Sequence, residues 1–177
     1  MKNNLYKIRA VADTEDDIFI DILIPIDNSF LVLHELILEA FNLNKMEMAS
    51  FYLSNDEWDK GEEITLFKME AEEGFDGPRS MEESTIESIF NEGYSKILYL
   101  HDFLNLNIFY VEILESTHEN GVSQPKITHK LGTYKPKEFS AELTLESETL
   151  QDPVQDIMDE YDEDDFGGFE ELDEDLY

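Results

Sequence analysis

Two polar side chains in apolar surroundings have the types needed for acid–base or metal chemistry. His34 lies among apolar residues, where an imidazole could act as a general base or as a ligand. Asp102 follows an apolar run and could supply one carboxylate of a magnesium site in a hydrolase, with Glu112 or Asp56-Glu57 as its partner. Such a site requires carboxylates that converge from rigid elements, so it depends on the fold.

Each of these residues also has a structural interpretation. We expect His34 to be partly buried and hydrogen-bonded to a sheet carbonyl or an acid, which satisfies the ring without any reaction. An aspartate beside a turn often accepts hydrogen bonds from nearby backbone amides, and Asp102 has that position. Trp58, the only tryptophan, is either an exposed recognition side chain or a cover for the edge of the core.

The remaining sequence has no recognisable cofactor chemistry. The four histidines, His34, His101, His118 and His129, have no short ligand spacing, and the chain has no cysteine. We therefore expect neither a zinc site nor any other cofactor. The sequence also has no glycine-rich phosphate loop and no G-x-S-x-G nucleophile turn. These absences favour a non-catalytic protein over an enzyme.

The charge balance disfavours several classes of partner. The 177 residues include 43 acids and 12 bases, and the formal net charge is −31. All bases lie at or before Lys137, whereas 17 acids follow it. A field of this sign repels phosphates and attracts basic proteins. We therefore expect no direct binding of nucleic acid and no binding to anionic membranes.

Targeting features are absent from the sequence. The segment MKNNLYKIRA contains no long apolar stretch, and no part of the chain approaches the length of a membrane span. The lack of cysteine fits a reducing compartment. We therefore expect a soluble, cytoplasmic protein.

The candidate side chains depend on a hairpin predicted at the longest apolar run of the chain. Two strands, Lys96–Phe103 and Leu106–Glu115, are joined by a tight turn at Leu104-Asn105. Pairing Leu100 with Phe109 gives the hairpin two distinct faces, because side chains alternate along a strand. The core face then consists of Leu98, Leu100, Phe109, Val111 and Ile113. The opposite face holds Ile97, Tyr99, His101, Ile108, Tyr110 and Glu112.

Other elements have simpler patterns. A second hairpin is predicted at Leu5–Asp13 and Ile18–Pro25. The main helix runs from Asn28 or Ser29 to Phe41. Its apolar face is expected to contain Leu33, Leu36, Ile37, Ala40 and Phe41.

A short helix and several strands complete the predicted domain. The helix begins at a capping box, Ser84–Glu87, and ends at Gly93. Strands are expected at Met48–Ser54, Ile64–Phe67 and Pro125–Tyr134, and Lys68–Met81 is expected to be irregular. The predicted fold is therefore α+β, with an antiparallel sheet or partial barrel, one main helix and one short helix packed on it.

An acidic C-terminal tail follows the domain. We place the globular domain at residues 1–138 and a largely disordered acidic tail at residues 139–177. The tail is either a solubilising extension or a docking segment for a basic surface with apolar pockets. Its apolar side chains in the acidic C-terminal part are Phe166, Phe169, Leu172, Leu176 and Tyr177.

Four segments of the chain form a recognisable pattern, namely Ile22-x-Ile24-Pro25, Leu33-His34-x-x-Ile37-x-x-Ala40-Phe41, Tyr99-x-His101-Asp102-Phe103 and Pro125 to Pro136-x-Glu138. In these segments the sequence resembles the plasmid Ri ORF-3-like family, over roughly residues 5–138. The resemblance implies an α+β fold with an antiparallel sheet and no established activity, and some members of this family are passengers of mobile elements. After Asp-Phe the family commonly has Gly-Asp-Gly-Trp-x-His. This chain has Leu104, Asn105, Leu106, Asn107 and Phe109 at those places, so a site built from that turn is not expected here.

Three functions remain open on these observations. The leading one is a non-catalytic protein-interaction module whose acidic tail docks a basic protein surface. The second is a nucleic-acid mimic, or an accessory factor for a DNA-handling protein of a mobile element. The third is a metal-dependent hydrolase that uses Asp102.

Overall fold

One eight-stranded sheet and two helices make up the described part of the computed structural model, residues 2–70, 77–120 and 122–138. The strands are β1 (Lys2–Ala12), β2 (Phe19–Pro25), β3 (Ala49–Ser54), β4 (Glu63–Thr65), β5 (Arg79–Ser80), β6 (Lys96–His101), β7 (Asn107–Asn120) and β8 (Lys126–Leu131). The helices are α1 (Phe30–Phe41) and α2 (Ile86–Asn91). The predicted tail, 139–177, lies outside the described residues.

The strand order is β5-β4-β3-β6-β7-β1-β2-β8, and β5 and β8 form the two edges. All neighbouring strands are antiparallel except β4 and β5, which are parallel. The α+β class is thereby confirmed, but the sheet is mixed where the sequence predicted an antiparallel one. The difference arises within Lys68–Met81, which was predicted to be irregular and contains the two-residue strand β5.

The hairpin near the N-terminus is confirmed by the pairing of β1 with β2. Its register places Ile8 opposite Ile22 and Ala10 opposite Ile20, and all four side chains are buried. The regular alternation of apolar and polar residues in β1 fixes this register, because a slip by one residue would turn the apolar side chains to the other face.

The central hairpin forms, but its predicted register is wrong by one residue. Tyr99 pairs with Phe109 and Ile97 with Val111, whereas the sequence placed Leu100 opposite Phe109. The core face of β6 therefore holds Ile97, Tyr99 and His101, while Leu98 and Leu100 are half-buried on the other face. The predicted face of β7 is correct, since Phe109 and Val111 are fully buried.

A five-residue loop, 102–106, replaces the predicted two-residue turn. The Leu106 amide donates to the Asp102 carbonyl over 2.7 Å, and both residues have positive φ, 53° and 57°. Leu106 stands where the family resemblance places a glycine, the residue that adopts this conformation with the least strain. The longer loop shifts the pairing of the two strands.

Helix α1 begins and ends where the sequence predicts. Ser29 is the N-cap residue, and Asn42 ends the helix in the left-handed conformation, with φ 54°. Its packing differs in one respect, because Leu36 is only partly buried although the predicted apolar face includes it. Phe30 and His34 are buried instead, so the contact face is rotated toward them.

Helix α2 starts one residue later than the predicted capping box requires. Thr85, rather than Ser84, is the N-cap, and its hydroxyl accepts a hydrogen bond from the Ser88 amide over 3.2 Å. Gly93, with φ 96°, follows the helix as predicted. Phe90 packs on Tyr6 with ring centroids 4.8 Å apart, so α2 covers the same face of the sheet as α1.

The last described segment, 132–138, is attached to the core through Tyr134. The ring contacts Phe41 and Phe109 at centroid distances of 5.8 and 4.9 Å. The Tyr134 hydroxyl donates to Asn107 Oδ1 over 2.5 Å, and the Lys137 amide donates to the same oxygen over 2.8 Å. Neither helix of the described part of the chain is long and apolar enough to cross a lipid bilayer.

Candidate functional site

His34 and Tyr99 form a buried polar contact between α1 and β6. Nδ1 of His34 lies 2.8 Å from the Tyr99 hydroxyl, and the two residues are 5% and 0% exposed. The expectation that His34 is buried and hydrogen-bonded is confirmed, but its partner is a phenol rather than a carbonyl or an acid. The partner was missed because the predicted register turned Tyr99 away from the core.

The burial of this pair favours its uncharged forms. Burial, together with the nearby His101, lowers the pKa of His34 to about 4. Burial also raises the pKa of the Tyr99 hydroxyl above its ordinary value. At neutral pH the pair is therefore an imidazole and a phenol, and His34 is a poor general base because it binds a proton only in acid.

His101 lies two residues beyond Tyr99 on the same face of β6. Its Nε2 lies 2.8 Å from the Asn44 carbonyl oxygen, which ties β6 to the loop after α1. Its Nδ1 is buried and has no hydrogen-bond partner among the described residues. Because Nε2 donates to the carbonyl, Nδ1 carries a lone pair in the neutral ring.

Asp102 has the structural role that its position beside a turn predicts. Its Oδ1 accepts hydrogen bonds from the amides of Leu104 and Asn105 over 3.1 and 3.2 Å, and Oδ2 accepts from the Asn105 side chain. The bond from the Asn105 side chain, followed by those from the amides, holds the pKa of Asp102 below its ordinary value. The carboxylate thus organises the 102–106 loop.

The carboxylates suggested as partners of Asp102 lie elsewhere. Asp56 makes a 3.2 Å ion pair with Lys96, and Glu112 is opposite Lys96 in the register of β6 and β7. Lys96 begins β6 and Asp102 follows its end, a separation of roughly 20 Å along a strand. Within the described residues, no group of three or more His, Asp or Glu side chains is arranged to hold a metal ion.

Trp58 covers part of the sheet face opposite the helices. Its ring makes an edge-on contact with Tyr110 at a centroid distance of 5.0 Å. Lys96 Nζ lies 5.4 Å from the Trp58 ring centroid. Trp58 thus covers a side chain of the outer sheet face rather than the edge of the core, which does not include Tyr110. The five predicted docking residues of the tail, Phe166, Phe169, Leu172, Leu176 and Tyr177, lie outside the described residues.

A groove of about 540 Å³ runs along α1 and has His34 in its wall. It is hereafter called the α1 groove, and its lining residues are Leu31, His34, Glu35, Leu38, Glu39, Lys45, Leu66 and Phe67. The sequence pattern did not reveal it, because Leu66 and Phe67 approach α1 only through the tertiary fold.

The fold and the polar contacts together define the class of protein. A mixed sheet with two helices on one face makes it an α+β protein, and its central polar residues are linked to one another or to the backbone. The chain belongs to the plasmid pRiA4b ORF-3-like protein family, whose model matches residues 5–167. The match extends beyond residue 138, where the sequence pattern placed the end of the domain.

A solved structure supports the fold. The chain is similar to the crystal structure of MM3350, a protein of unknown function from Methanosarcina mazei Go1, with a TM-score of 0.63 and 19% identity. The similarity covers 91% of this chain and 84% of that one. No curated protein matches the sequence.

Proposed function

We propose that this protein is a non-catalytic interaction module whose acidic C-terminal segment, 139–177, docks a basic surface of a partner protein. The observation that carries the proposal is the segregation of charge, because 17 acids and no bases follow Lys137. Phe166, Phe169 and Tyr177 are spaced among these acids and would enter apolar pockets between basic side chains.

Exposed apolar side chains on the folded domain also support an interaction role. They lie in the loops 42–48 and 102–106, which are joined where the Asp102 amide donates to the Met48 carbonyl over 2.9 Å. The exposed side chains are Met46, Met48, Phe103, Leu104 and Leu106. A group of exposed apolar side chains is a common mark of a contact surface.

The test compares four forms of the protein in a binding assay with a captured partner. They are the wild type, a deletion of residues 152–177, a Phe166/Phe169/Tyr177→Ser variant, and a variant with the same tail composition in scrambled order. Deletion should abolish binding, and the triple variant and the scrambled tail should both weaken it. Equal binding by all three full-length forms would show that charge alone matters and would refute a specific docking segment.

Folding provides the control for the deletion. Removing residues 152–177 takes away 13 acids and no bases, so self-repulsion falls and the free energy of unfolding should hold or rise slightly. Binding should also weaken steeply with salt, since exposed charges are screened within about 10 Å at 0.1 M ionic strength. Unfolding of the truncated protein would contradict the proposed boundary.

A second function follows from the net charge of −31. As a nucleic-acid mimic, or as an accessory factor for a DNA-handling protein of a mobile element, the protein would occupy a partner's phosphate-binding groove. Duplex DNA should then compete with it for the captured partner, whereas a tail that docks elsewhere would leave DNA binding intact. The protein itself should give no salt-sensitive band shift with duplex DNA or RNA.

A further inference from the structure

The α1 groove contains a polar atom without a protein partner. Nδ1 of His34 contacts Tyr99, whereas Nε2 has no hydrogen-bond partner among the described residues. Among the described residues, the buried side-chain atoms that lack a partner are His101 Nδ1 and Asn105 Oδ1. His34 Nε2 is not one of them, and His34 lines the groove. An almost fully buried side chain thus has one ring nitrogen left to meet a ligand in the groove.

The hydrogen bond to Tyr99 determines which ring nitrogen carries the proton. Tyr99 is fully buried, and His34 Nδ1 is the one hydrogen-bond partner of its hydroxyl in the described part of the chain. If Nδ1 carried the proton, the Tyr99 hydroxyl would accept it and its own O–H would be left without an acceptor, which is costly in a core. The Tyr99 O–H therefore donates to Nδ1, and the neutral ring has its proton on Nε2. The groove thus offers a hydrogen-bond donor to an acceptor on a ligand.

The walls of the groove add two further requirements for a ligand. One wall is apolar, and Phe67 is 63% exposed there although it is a large aromatic residue. Another part of the wall contains Glu35 and Glu39, one helical turn apart on α1. Lys45 also lines the groove, but neither glutamate has a basic side chain within ion-pair distance among the described residues. Like charges at this spacing repel, and a cation between them would relieve the repulsion.

The dimensions fit an extended chain. Eight helical steps separate Leu31 from Glu39, which corresponds to roughly 12 Å of groove. Four residues of an extended peptide span about 13 Å, and their side chains alternate between two sides. One side would meet the apolar wall and the other the two glutamates.

We propose that the α1 groove binds an extended segment of a partner protein in which apolar and basic residues alternate. A backbone carbonyl of the segment accepts the hydrogen bond from His34 Nε2, apolar side chains cover Leu38 and Phe67, and a Lys or Arg lies between Glu35 and Glu39. The inference rests on the proposed function, an interaction module for basic partners, and assigns part of the recognition to the folded domain.

The test uses a fluorescein-labelled octapeptide of alternating Leu and Lys, with a Lys–Ser octapeptide of equal charge as the probe control. The full-length protein is compared with a Glu35→Gln/Glu39→Gln variant, a Phe67→Ser variant, and a charge-matched control, Glu15→Gln/Glu57→Gln. Both control glutamates are exposed and lie outside the groove. The Glu35→Gln/Glu39→Gln variant should weaken binding of the Leu–Lys peptide by roughly three- to tenfold, as expected for loss of two exposed ion pairs. Phe67→Ser should weaken it by a similar factor, because apolar contact is lost. The control variant should bind within about twofold of the wild type.

NMR provides a readout that does not depend on folding of the variants. In wild-type protein the Leu–Lys peptide should shift the amides of Leu31–Glu39, Leu66 and Phe67 and the side-chain Nε2 of His34. Equal binding to the groove variants and the charge control, or shifts spread over the whole acidic surface, would overturn the proposal.

The two proposals fail separately in this design. The Phe166/Phe169/Tyr177→Ser variant should bind the Leu–Lys peptide like the wild type, because its groove is unchanged. If the tail variants lose the captured partner while the groove variants keep the peptide, tail docking stands and the groove proposal is wrong. If the groove variants lose the peptide while the tail variants keep the partner, the groove proposal stands and tail docking is wrong.

Discussion

The hydroxyl of Tyr99 and Nδ1 of His34 lie 2.8 Å apart, in a contact that joins the middle of α1 to β6 inside the core. Neither group has another protein partner at these atoms in the described part of the chain. Each atom therefore satisfies the other, and the pair behaves as one structural unit.

The first prediction concerns the pH dependence of this unit. The pKa of His34 is about 4 in the folded protein and 6.5 in an ordinary environment. Between these values the unfolded chain binds a proton that the folded chain does not, so the free energy of unfolding falls as the pH falls. The loss should total about 3 kcal/mol between pH 6.5 and 4. Urea denaturation at several pH values measures it.

A His34→Gln variant provides the comparison for this prediction. It retains an acceptor for Tyr99 but has no group that titrates in this range. Between pH 6.5 and 4, the free energy of unfolding of the variant should fall by about 1.4 kcal/mol per pH unit less than that of the wild type. Both proteins keep a common slope, because the carboxylates titrate in both. Identical slopes in the two proteins would show that His34 titrates normally when folded.

The second prediction concerns the attachment of the 132–138 segment. Tyr134→Phe removes the hydrogen bond to Asn107 and should cost about 1 kcal/mol, while Tyr134→Ala also removes the ring from the core and should cost about 3–5 kcal/mol. Chemical denaturation measures both. Tyr110→Phe is the matched control, because the Tyr110 hydroxyl has no hydrogen bond among the described residues, and it should be neutral.

Gly132 provides the third prediction, since its φ is 74° and a Cβ there would lie 2.9 Å from Cγ1 of Ile18. Gly132→Ala should therefore combine backbone strain of about 1–2 kcal/mol with a steric clash. Gly93→Ala isolates the strain, because φ is 96° but nothing lies within 4 Å of the added carbon. Thermal melts should show the larger loss at Gly132, and equal losses would contradict the contact with Ile18.

The fourth prediction separates loop structure from metal binding at Asp102. Asp102→Ala removes the acceptor of three hydrogen bonds and should cost about 1–3 kcal/mol. Asp102→Asn keeps one carbonyl oxygen and tolerates positive φ, so it should cost less. Adding MgCl₂ should raise the melting temperature of wild type and Asp102→Asn equally or not at all. A rise that depends on the carboxylate would support the hydrolase hypothesis instead.

The elements that are predicted correctly from the sequence each have one clear apolar periodicity. β1 alternates apolar and polar residues, and α1 has a cap residue at Ser29 and a periodic apolar face, so local information decides both. β6 is different, because Ile97, Leu98, Tyr99 and Leu100 are all apolar and either face could be the core. Its register depends on the 102–106 loop and on the fit of Tyr99 beneath α1, neither of which is local.

The candidate site shows the same limit. His34 and Asp102 stood out as residue types, and the turn role of Asp102 could be read from its neighbours. The partner of His34 is 65 residues away, on a strand whose orientation was mispredicted. The α1 groove requires the packing of Leu66 and Phe67 beside the helix, which no sequence period encodes.

The position of β1 between β7 and β2 has a consequence for biosynthesis. β1 pairs with β7 along its whole length, so its partner residues lie about a hundred positions later in the chain. At roughly 5–20 residues per second, a ribosome needs at least about five seconds to synthesise that interval. During that time one side of β1 lacks its neighbour, and the first hairpin exposes an unpaired apolar strand. We therefore expect nascent chains that stop before residue 107 to recruit chaperones, and complete folding to begin only after β7 has left the ribosome.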